Sequence, residues 1–327
     1  MKIKFLPYQP HSFAFGGFEI QMLSTFNAIK QFGMNVSKLD VWDRDDNFDI
    51  LHCWGLDMAN YENVYWAKRA KKKVVVTALL NYYESNIQKF KFHLSSFIYK
   101  QRLVKEMLPN IDTVVVVNEK QAEVCYRYLK IPTHKVCIIP NVVDEKFFNY
   151  KPGENLKNGY ILAVGNICNR KNQVNLAISC ADDKIPLFLI GKVLNGEEKY
   201  ADELNSIIKQ SDNITWVKGL KENSDELIEY FANCTALALP SFAEQQPIAL
   251  LEGAVLRKPL IIADKAYARQ KYYHNSQLVN PDSISSIKTG LKNVLVNPAK
   301  YIPDIEPLLE CKSINVANAY ANVYNNI

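Results

Sequence analysis

The sequence predicts an α/β protein in which two doubly wound parallel sheets form two domains. Short apolar or β-branched runs alternate with amphipathic stretches along the whole chain, which is the pattern of parallel strands joined by crossover helices. The pattern occurs twice, with six predicted strands in each half. A length of 327 residues is sufficient for two domains of ordinary size.

The predicted strands of the first half are short runs rich in apolar residues: Lys2–Tyr8, Asn35–Trp42, Asp49–Gly55, Lys73–Leu79, Thr113–Asn118 and Lys135–Asn141. Those of the second half follow the same pattern: Tyr160–Asn166, Pro186–Lys192, Ile214–Gly219, Thr235–Pro240, Pro259–Asp264 and Ser276–Pro281. Such runs fit strands that are covered by helices on both faces.

A polar segment separates the two halves. Residues 149–158 (NYKPGENLKN) contain Pro and Gly and show no periodicity, which is typical of a linker. We therefore predict domains at 1–150 and 151–327. The final stretch predicts a helix after Pro307, and we assign this terminal helix to the second domain. We expect the carboxyl ends of both sheets to face a common cleft, because open α/β sheets bind ligands at that edge.

The charge distribution disfavours nucleic acid as the leading partner. The formal net charge is +5, and residues 1–150 carry 20 Lys and Arg against 15 Asp and Glu, whereas the remainder carries 19 against 19. This excess is small and scattered, unlike the basic stripe of a nucleic-acid-binding protein. An anionic substrate or an anionic membrane surface stays open as a partner.

The cysteines and the apolar runs indicate a cytoplasmic protein. The seven cysteines form no C-x-x-C pair and no metal-type spacing, so we expect buried free thiols in a reducing compartment. The first residues lack the apolar core of a secretory signal, and no apolar run reaches the length of about 18 residues that a membrane span requires.

Two acids stand eight positions apart near the end of a predicted strand. Glu244 lies in the loop after the strand Thr235–Pro240, and Glu252 lies in the helix that Pro247 is expected to start. Both then belong to the edge where α/β sheets bind ligands. The spacing alone fits two surface acids equally well.

A basic turn follows the first strand of the second half. The segment GNICNRKNQ begins at Gly165 and enters a predicted helix, so its backbone amides and the helix dipole favour an anion. Arg170 and Lys171 add side-chain charge to this turn. The alternative interpretation is the solvated, basic start of an ordinary helix.

A second glycine-containing turn follows the first strand of the chain. Gly16 and Gly17 precede a predicted helix, and glycine lets backbone amides approach a ligand closely. A tight turn explains the pair equally well. The chain contains neither G-x4-G-K-[ST] nor G-x-G-x-x-G, which disfavours a P-loop kinase and a nicotinamide dehydrogenase. We interpret the acids of Asp43–Asp46 as a polar loop and expect no metal or other cofactor.

The order of these motifs resembles the retaining nucleotide-sugar glycosyltransferases of family 4, which have the GT-B fold of two Rossmann-like domains. The resemblance is strongest from Ile138 to Asp264 and most specific in the E-x7-E motif of Glu244 and Glu252, preceded by Pro240 and Ser241. The segment Ile139–Asp144 is similar to the family's P-N-G-V-D segment. The resemblance implies an acceptor-side domain at 1–150 and a nucleotide-sugar domain at 151–327.

The resemblance also implies roles for the site residues. Glu252 would bind the ribose hydroxyls of the donor, and Glu244 would contact the donor sugar. Lys171 would stabilise the leaving diphosphate, and Arg170 would replace the Arg that the family carries where this chain has Asn166. The further residues with an implied donor-binding role are Gly16, Gly17, Gly165, Asn166, Pro247 and Ile248.

The implied activity is glycan or polysaccharide biosynthesis by transfer of a sugar from a nucleoside-diphosphate sugar to a hydroxyl, with retention of anomeric configuration. The acceptor would be a glycan, a lipid-linked molecule or a protein at the cytoplasmic side. Two further departures from the family are Leu79 in place of a His, and the segment Lys265–Arg269 in place of a Gly-Gly pair. These departures keep open a non-catalytic binding or scaffold subunit. An epimerase or phosphorylase is disfavoured because the paired glutamates match the transferases better.

A basic amphipathic segment allows two interpretations. Residues Ser85–Pro109 place apolar side chains near helical spacing, with lysines and an arginine outside that stripe. Such a helix lies on an anionic membrane, or it packs on the sheet as a crossover helix whose lysines extend to solvent. The first interpretation predicts peripheral membrane contact.

Overall fold

The computed structural model describes residues 1–13, 15–82, 99–151 and 159–327. These residues divide into two compact units, each with its own sheet. The first unit comprises Met1–Val142 together with Cys311–Ile327, and the second comprises Val143–Glu310. The first boundary therefore precedes the predicted one at residue 150.

The strands are β1 (Lys2–Pro7), β2 (Asn35–Lys38), β3 (Ile50–Trp54), β4 (Lys73–Thr77), β5 (Thr113–Val116), β6 (Val136–Ile138), β7 (Ile161–Val164), β8 (Leu187–Ile190), β9 (Ile214–Val217), β10 (Ala236–Leu239), β11 (Leu260–Ala263) and β12 (Gln277–Val279). The α-helices are α1 (Gly17–Gln31), α2 (Tyr61–Arg69), α3 (Tyr99–Met107), α4 (Glu119–Arg127), α5 (Glu145–Asn149), α6 (Gln173–Asp182), α7 (Glu198–Lys209), α8 (Asp225–Asn233), α9 (Ile248–Val255), α10 (Ile284–Val296), α11 (Ile305–Leu308) and α12 (Ser313–Asn325).

Each unit contains a six-stranded parallel sheet. The strand order is β2-β1-β3-β4-β5-β6 in the first sheet and β12-β11-β10-β7-β8-β9 in the second. In the first sheet the chain places β2 on one side of β1 and then crosses to build β3 to β6 on the other side. In the second sheet it runs from β7 outward to β9 and then crosses to build β10 to β12, so both sheets are doubly wound. Every predicted strand is present, although β2 ends at Lys38, four residues before the predicted end at Trp42. The agreement is close for central strands such as β4, β10 and β11, which are apolar and buried.

The terminal helix α12 belongs to the first unit, which differs from our assignment to the second domain. It packs against α1 and buries an apolar face that includes Tyr320 and Tyr324. In β3 the fully buried His52 lies 2.7 Å from the Tyr324 hydroxyl and 2.8 Å from Thr77 Oγ1. Burial lowers the pKa of His52 to about 3, so this imidazole is a neutral, structural group. The helical periodicity of α12 did not specify which of the two sheets it would cover.

Parts of two predicted features lie outside the described residues. These are most of the linker, at 152–158, and most of the basic amphipathic segment, at 83–98; the end of that segment contains α3. Within the described ranges, no helix has the length and apolarity needed to cross a membrane. All seven cysteines are free thiols, and all except the half-buried Cys137 are buried, as predicted.

Candidate functional site

The second sheet brings the two predicted site segments together. β7 and β10 are neighbouring parallel strands, so the turn that follows β7 and the loop that follows β10 leave the same edge of the sheet. The amide of Phe242 in the loop donates a hydrogen bond of 2.9 Å to the carbonyl of Arg170 in the turn. The backbone itself therefore couples the basic turn to the loop that carries Glu244.

Glu244, Lys171 and Arg170 form a compact ionic cluster, which we call the Glu244 cluster. Oε1 of Glu244 lies 2.7 Å from Nζ of Lys171 and 2.8 Å from Nη1 of Arg170. The same Arg170 nitrogen donates to the carbonyl of Ala243 at 2.7 Å. Since 74 positions separate Arg170 from Glu244, only the fold brings the three side chains together.

The cluster is charged although it is largely buried. The side chains of Glu244 and Lys171 are 7% and 12% exposed, whereas that of Arg170 is 47% exposed. Burial alone would raise the pKa of Glu244, but the charges of Lys171 and Arg170 outweigh it and hold this pKa below its ordinary value. Two cations against one carboxylate leave a net positive charge at the carboxyl end of β7.

Two glycines allow the close packing that places Lys171. Gly165 has φ +141°, and a Cβ there would lie 3.3 Å from Cε of Lys171. Gly191, directly after β8, has no room for a side chain, because its Cβ would lie 2.0 Å from the carbonyl oxygen of Gly165. The Lys171 side chain thus runs over Gly165, which itself packs on Gly191.

The turn after β7 enters a helix at Gln173, as predicted. A 3₁₀ turn, Asn169–Lys171, comes first, and α6 starts only after Asn172, whose φ is +62°. The amide of Val174 in the first turn of α6 already donates to the Tyr200 hydroxyl at 2.9 Å, and the amide of Gly165 donates to the Ile190 carbonyl at 2.9 Å. Side-chain charge, more than free helix amides, therefore makes this turn attractive to an anion.

Asn172 is a site-supporting residue that the sequence did not reveal. Its side-chain nitrogen donates to the carbonyl of Pro240 at 3.0 Å and to that of Pro281 at 2.8 Å. These carbonyls follow β10 and β12, so one buried amide ties three strand ends together. The only local signal is an Asn at the junction of the turn and the helix, where Asn tolerates a left-handed backbone.

Glu252 occupies a different environment from Glu244. It is the fifth residue of α9, which starts after Pro247 as predicted. It is buried, and no side chain in the described ranges donates a hydrogen bond to its carboxyl group. Burial, aided by the charge of Asp144, raises the pKa of Glu252 to about 8. One acid of the motif is therefore an ion-paired carboxylate, and the other is an unpaired acid.

The segment that replaces the family's Gly-Gly pair supports the Glu244 loop. The hydroxyl of Tyr267 donates to the carbonyl of Leu239 at 3.2 Å. Gln270 donates to the carbonyl of Gln245 at 2.6 Å and accepts from the side chain of Gln246 at 2.9 Å. Both Tyr267 and Gln270 are buried. These contacts were not predicted. They stabilise the loop that carries Glu244 in addition to its hydrogen bond with the turn after β7.

The glycine pair of the first unit lies at the carboxyl end of β1. Neither glycine has a positive φ, so the backbone does not require glycine at either position. The amide of Gly16 already donates to the Glu19 carboxylate at 2.8 Å, whereas a Cβ on Gly17 would meet nothing within 4 Å. Gly17 therefore leaves open space at the start of α1. Leu79, past the end of β4, is 43% exposed.

The acids of Asp43–Asp46 cap their own loop. Asp43 accepts from the amide of Asp45, and Asp45 accepts from the amide of Asn47, both at 3.0 Å. Within the described part of the chain, no group of three or more His, Cys, Asp or Glu side chains is placed to hold a metal ion.

The fold is that of the GT-B glycosyltransferases. Anabaena HepE in complex with UDP superposes with a TM-score of 0.78 at 15% identity, covering 100% of both chains. Sucrose-phosphate synthase from Thermosynechococcus elongatus gives 0.74 at 15% identity, covering 100% of this chain and 99% of that one. The lipopolysaccharide outer core galactosyltransferase WaaB gives 0.67 at 18% identity, covering 100% of both.

Sequence comparison gives the family. Residues 15–147 match the model of Glycosyltransferase Family 4, and residues 144–303 match that of glycosyl transferases group 1. The two matches run through both units, so this chain belongs to the family 4 glycosyltransferases. A curated relative is the N,N'-diacetylbacillosaminyl-diphospho-undecaprenol alpha-1,3-N-acetylgalactosaminyltransferase of Campylobacter jejuni, 26% identical over 221 residues, 61% of this chain and 54% of that protein. The chain thus spans about half the length of that relative.

Proposed function

We propose that this protein transfers a sugar from a nucleoside-diphosphate sugar to a hydroxyl acceptor, with retention of anomeric configuration. The Glu244 cluster is the observation that carries the proposal, because it places two cations at the edge where α/β sheets bind ligands. Membership of the family supports the same activity.

The two glutamates receive different tasks in this proposal. Glu252 accepts hydrogen bonds from the two ribose hydroxyls, which suits a carboxylate because it has two acceptor oxygens and needs no donor. The lack of a protein partner in the described ranges leaves its oxygens available. Glu244 contacts the donor sugar and holds Lys171 and Arg170 in place.

Charge stabilisation of the leaving group is the main catalytic contribution. The bond between the anomeric carbon and the diphosphate oxygen breaks, and its electron pair leaves with the diphosphate. The acceptor oxygen forms the new bond to the anomeric carbon, and its proton passes to an oxygen of the leaving diphosphate. Lys171 and Arg170 stabilise the negative charge that develops on the diphosphate. We propose that these side chains act without a bound metal or other cofactor.

A uridine nucleotide is the donor we favour. Anabaena HepE is known in complex with UDP and with UDP-glucose, and the Campylobacter relative is named as a transferase that acts on a diphospho-undecaprenol-linked acceptor. We therefore propose a UDP-hexose donor and a glycan or lipid-linked acceptor, reached from the cytoplasmic face of the membrane.

A thermal-shift panel with UDP, GDP, ADP, TDP and CMP tests the donor site. A nucleotide at about 100 times its dissociation constant should add roughly 2.7 kcal/mol to the free energy of unfolding. We expect UDP to stabilise the protein most. Stabilisation by none of the diphosphates would overturn the proposal.

Product analysis then separates the enzyme from a non-catalytic scaffold. With UDP-sugars and candidate acceptors we expect release of UDP, and NMR of the product should show the donor's anomeric configuration. Saturable nucleotide binding without release, with acceptors supplied, would favour the scaffold that Leu79 and Asn166 suggest.

A further inference from the structure

A cavity of about 580 Å³ lies in the first unit, whereas the Glu244 cluster belongs to the second. Its walls are mainly aliphatic and include Leu108, Ile111, Val114, Leu129 and Ile131. These residues precede or begin β5 and β6 or follow α4, so the cavity lies at the amino ends of the strands. The glycine pair lies at the opposite, carboxyl edge of the same sheet.

The rim of this cavity is cationic. Lys105, Arg127, Lys130 and Lys135 line it, and none of the other described residues that line it is an Asp or a Glu. Arg127 pairs with Glu123 at 3.0 Å, and Nζ of Lys135 donates to a backbone carbonyl at 2.8 Å. Lys105 and Lys130 are exposed and have no hydrogen-bond or ion-pair partner among the described residues. The ammonium groups of Lys105 and Lys130 therefore lie, without a partner among the described residues, beside the apolar walls of the cavity, which we call the chamber.

We propose that this cavity binds the chain of an anionic lipid in a membrane surface, with the lipid phosphate held by Lys105 and Lys130. The volume lies within the range of about 300–1,000 Å³ that is typical of small-molecule sites. Burying a hydrocarbon chain removes apolar surface from water, and the rim attracts a phosphate in the way that basic side chains attract anionic membranes.

Other classes of ligand would match either the apolar walls or the cationic rim of the cavity, but not both. A sugar or a nucleotide needs hydrogen-bond partners, which aliphatic walls do not supply. A free phosphate would use the rim and leave the chamber unused. An apolar protein segment would gain nothing from four cationic groups. An amphiphile with an anionic head matches both the walls and the rim.

The proposed lipid site is independent of glycosyl transfer. Ligands of α/β sheets bind at the carboxyl edge, whereas this cavity lies at the amino edge, so a bound lipid would anchor the protein without competing with substrates. The inference does not rest on the proposed function, and its test needs no activity measurement.

Vesicle co-sedimentation tests the rim. Wild-type protein should sediment with vesicles that contain phosphatidylglycerol and much less with phosphatidylcholine alone. The double variant Lys105→Glu/Lys130→Asp reverses both charges, and Asp tolerates the left-handed backbone at position 130, where φ is +58°. We expect it to lose on the order of tenfold or more in vesicle affinity.

A matched control distinguishes the effect of Lys105 and Lys130 on vesicle binding from the effect of net charge. Lys209→Glu/Lys184→Asp makes the same change in net charge at an exposed helical Lys and at an exposed Lys with φ +50°, both in the second unit. We expect this variant to keep most of the vesicle binding. Equal losses in the two double variants, or no sedimentation of the wild type, would overturn the proposal.

The chamber is tested without any change of charge. Leu108→Trp should fill part of the cavity, and calorimetry can compare decyl phosphate, decanol and inorganic phosphate as probes. Of the three probes, we expect only decyl phosphate to bind the wild type saturably. Leu108→Trp should lose this binding while its melting temperature stays that of the wild type. A Lys105→Glu/Lys130→Asp protein with Leu108 intact should also lose it. Binding of inorganic phosphate as strongly as decyl phosphate would overturn the role of the chamber.

Discussion

Nζ of Lys171 lies 2.7 Å from Oε1 of Glu244, and this buried carboxylate also accepts from Arg170 at 2.8 Å. The ion pair fixes two flexible cations at one point beside Gly165. Electrostatic stabilisation is strongest when the charged groups are oriented before the reaction. Glu244 can therefore contribute to catalysis by orienting Lys171 and Arg170 as well as by touching a sugar.

The first prediction concerns Lys171. Lys171→Ala should lower turnover on the order of 10²-fold, while the Michaelis constant for the donor changes much less, because charge on the diphosphate develops mainly in the transition state. Arg170→Ala should cost less, since the Arg170 side chain is 47% exposed and its charge is screened by solvent. Steady-state kinetics with a UDP-sugar measures both. An unchanged turnover number in Lys171→Ala would exclude Lys171 from the mechanism.

The second prediction separates the two glutamates by their ligands. Glu252→Ala should weaken binding of free UDP about ten- to a hundredfold, because hydrogen bonds to a charged group are worth roughly 1.5 to 3 kcal/mol and UDP carries the ribose. Glu244→Ala should bind UDP at least as tightly as the wild type, because it releases two cations from a competing carboxylate, but it should lose turnover. Calorimetric titration with UDP and turnover of the full donor distinguish the two variants.

Similar losses of UDP affinity in both variants would show that the two acids act on one group of the nucleotide. If neither affinity nor turnover changed, both glutamates would be ordinary acids of the fold.

The third prediction follows from the raised pKa of Glu252. At pH 7, below its pKa of about 8, this acid is mostly protonated. If the ribose binds the carboxylate, UDP binding should release about one proton at pH 7, and affinity should rise by up to about tenfold per pH unit until pH 8. Calorimetry in two buffers of different ionisation enthalpy measures the proton release. Glu252→Gln should show no such release at this site, and an equal release from both proteins would contradict the assignment.

The ionisation of Glu252 should also make the free energy of unfolding depend on pH, in the direction opposite to the pH dependence of UDP affinity. A carboxyl whose pKa is raised on folding stabilises the native state fully below its unfolded value of 4.5, and this contribution is lost as the pH rises towards about 8. Binding of UDP and stability of the free protein should therefore depend on pH in opposite directions over this window.

Apolar runs and helix-start residues in the sequence predicted the strands and helices, because both depend on local physical properties of the chain. Strands such as β10 and β11 are continuous apolar runs because both of their faces are buried. Pro247 sets the start of α9 through its fixed φ, which is −67° here. The positions of Glu244 in a loop and Glu252 in a helix followed directly.

Long-range relationships could not be predicted in the same way. The pairing of Lys171 with Glu244 depends on β7 and β10 being neighbours, and periodicity does not specify neighbours. The support that Tyr267 and Gln270 give to the site loop arises from buried polar side chains, which have no periodic signature. The assignment of α12 to the second domain differs from the structure for a related reason, since helical periodicity does not specify which sheet a helix covers.

The fourth prediction tests Asn172 as the residue that positions the basic turn. Asn172→Ala removes hydrogen bonds of 3.0 and 2.8 Å to two carbonyls and places a Cβ-bearing residue without a polar side chain at φ +62°. Each of the two lost bonds costs about 1 kcal/mol and the left-handed backbone costs Ala about 1–2 kcal/mol, so the free energy of unfolding should fall by roughly 3–4 kcal/mol. Asn172→Gly loses the same bonds without the backbone strain, and we expect it to be about 1 kcal/mol more stable than Asn172→Ala. Both variants should lower turnover, because Lys171 precedes this residue directly. Thermal unfolding with and without UDP, together with kinetics, measures these effects. If both variants kept wild-type stability and turnover, the amide of Asn172 would not hold the three strand ends together.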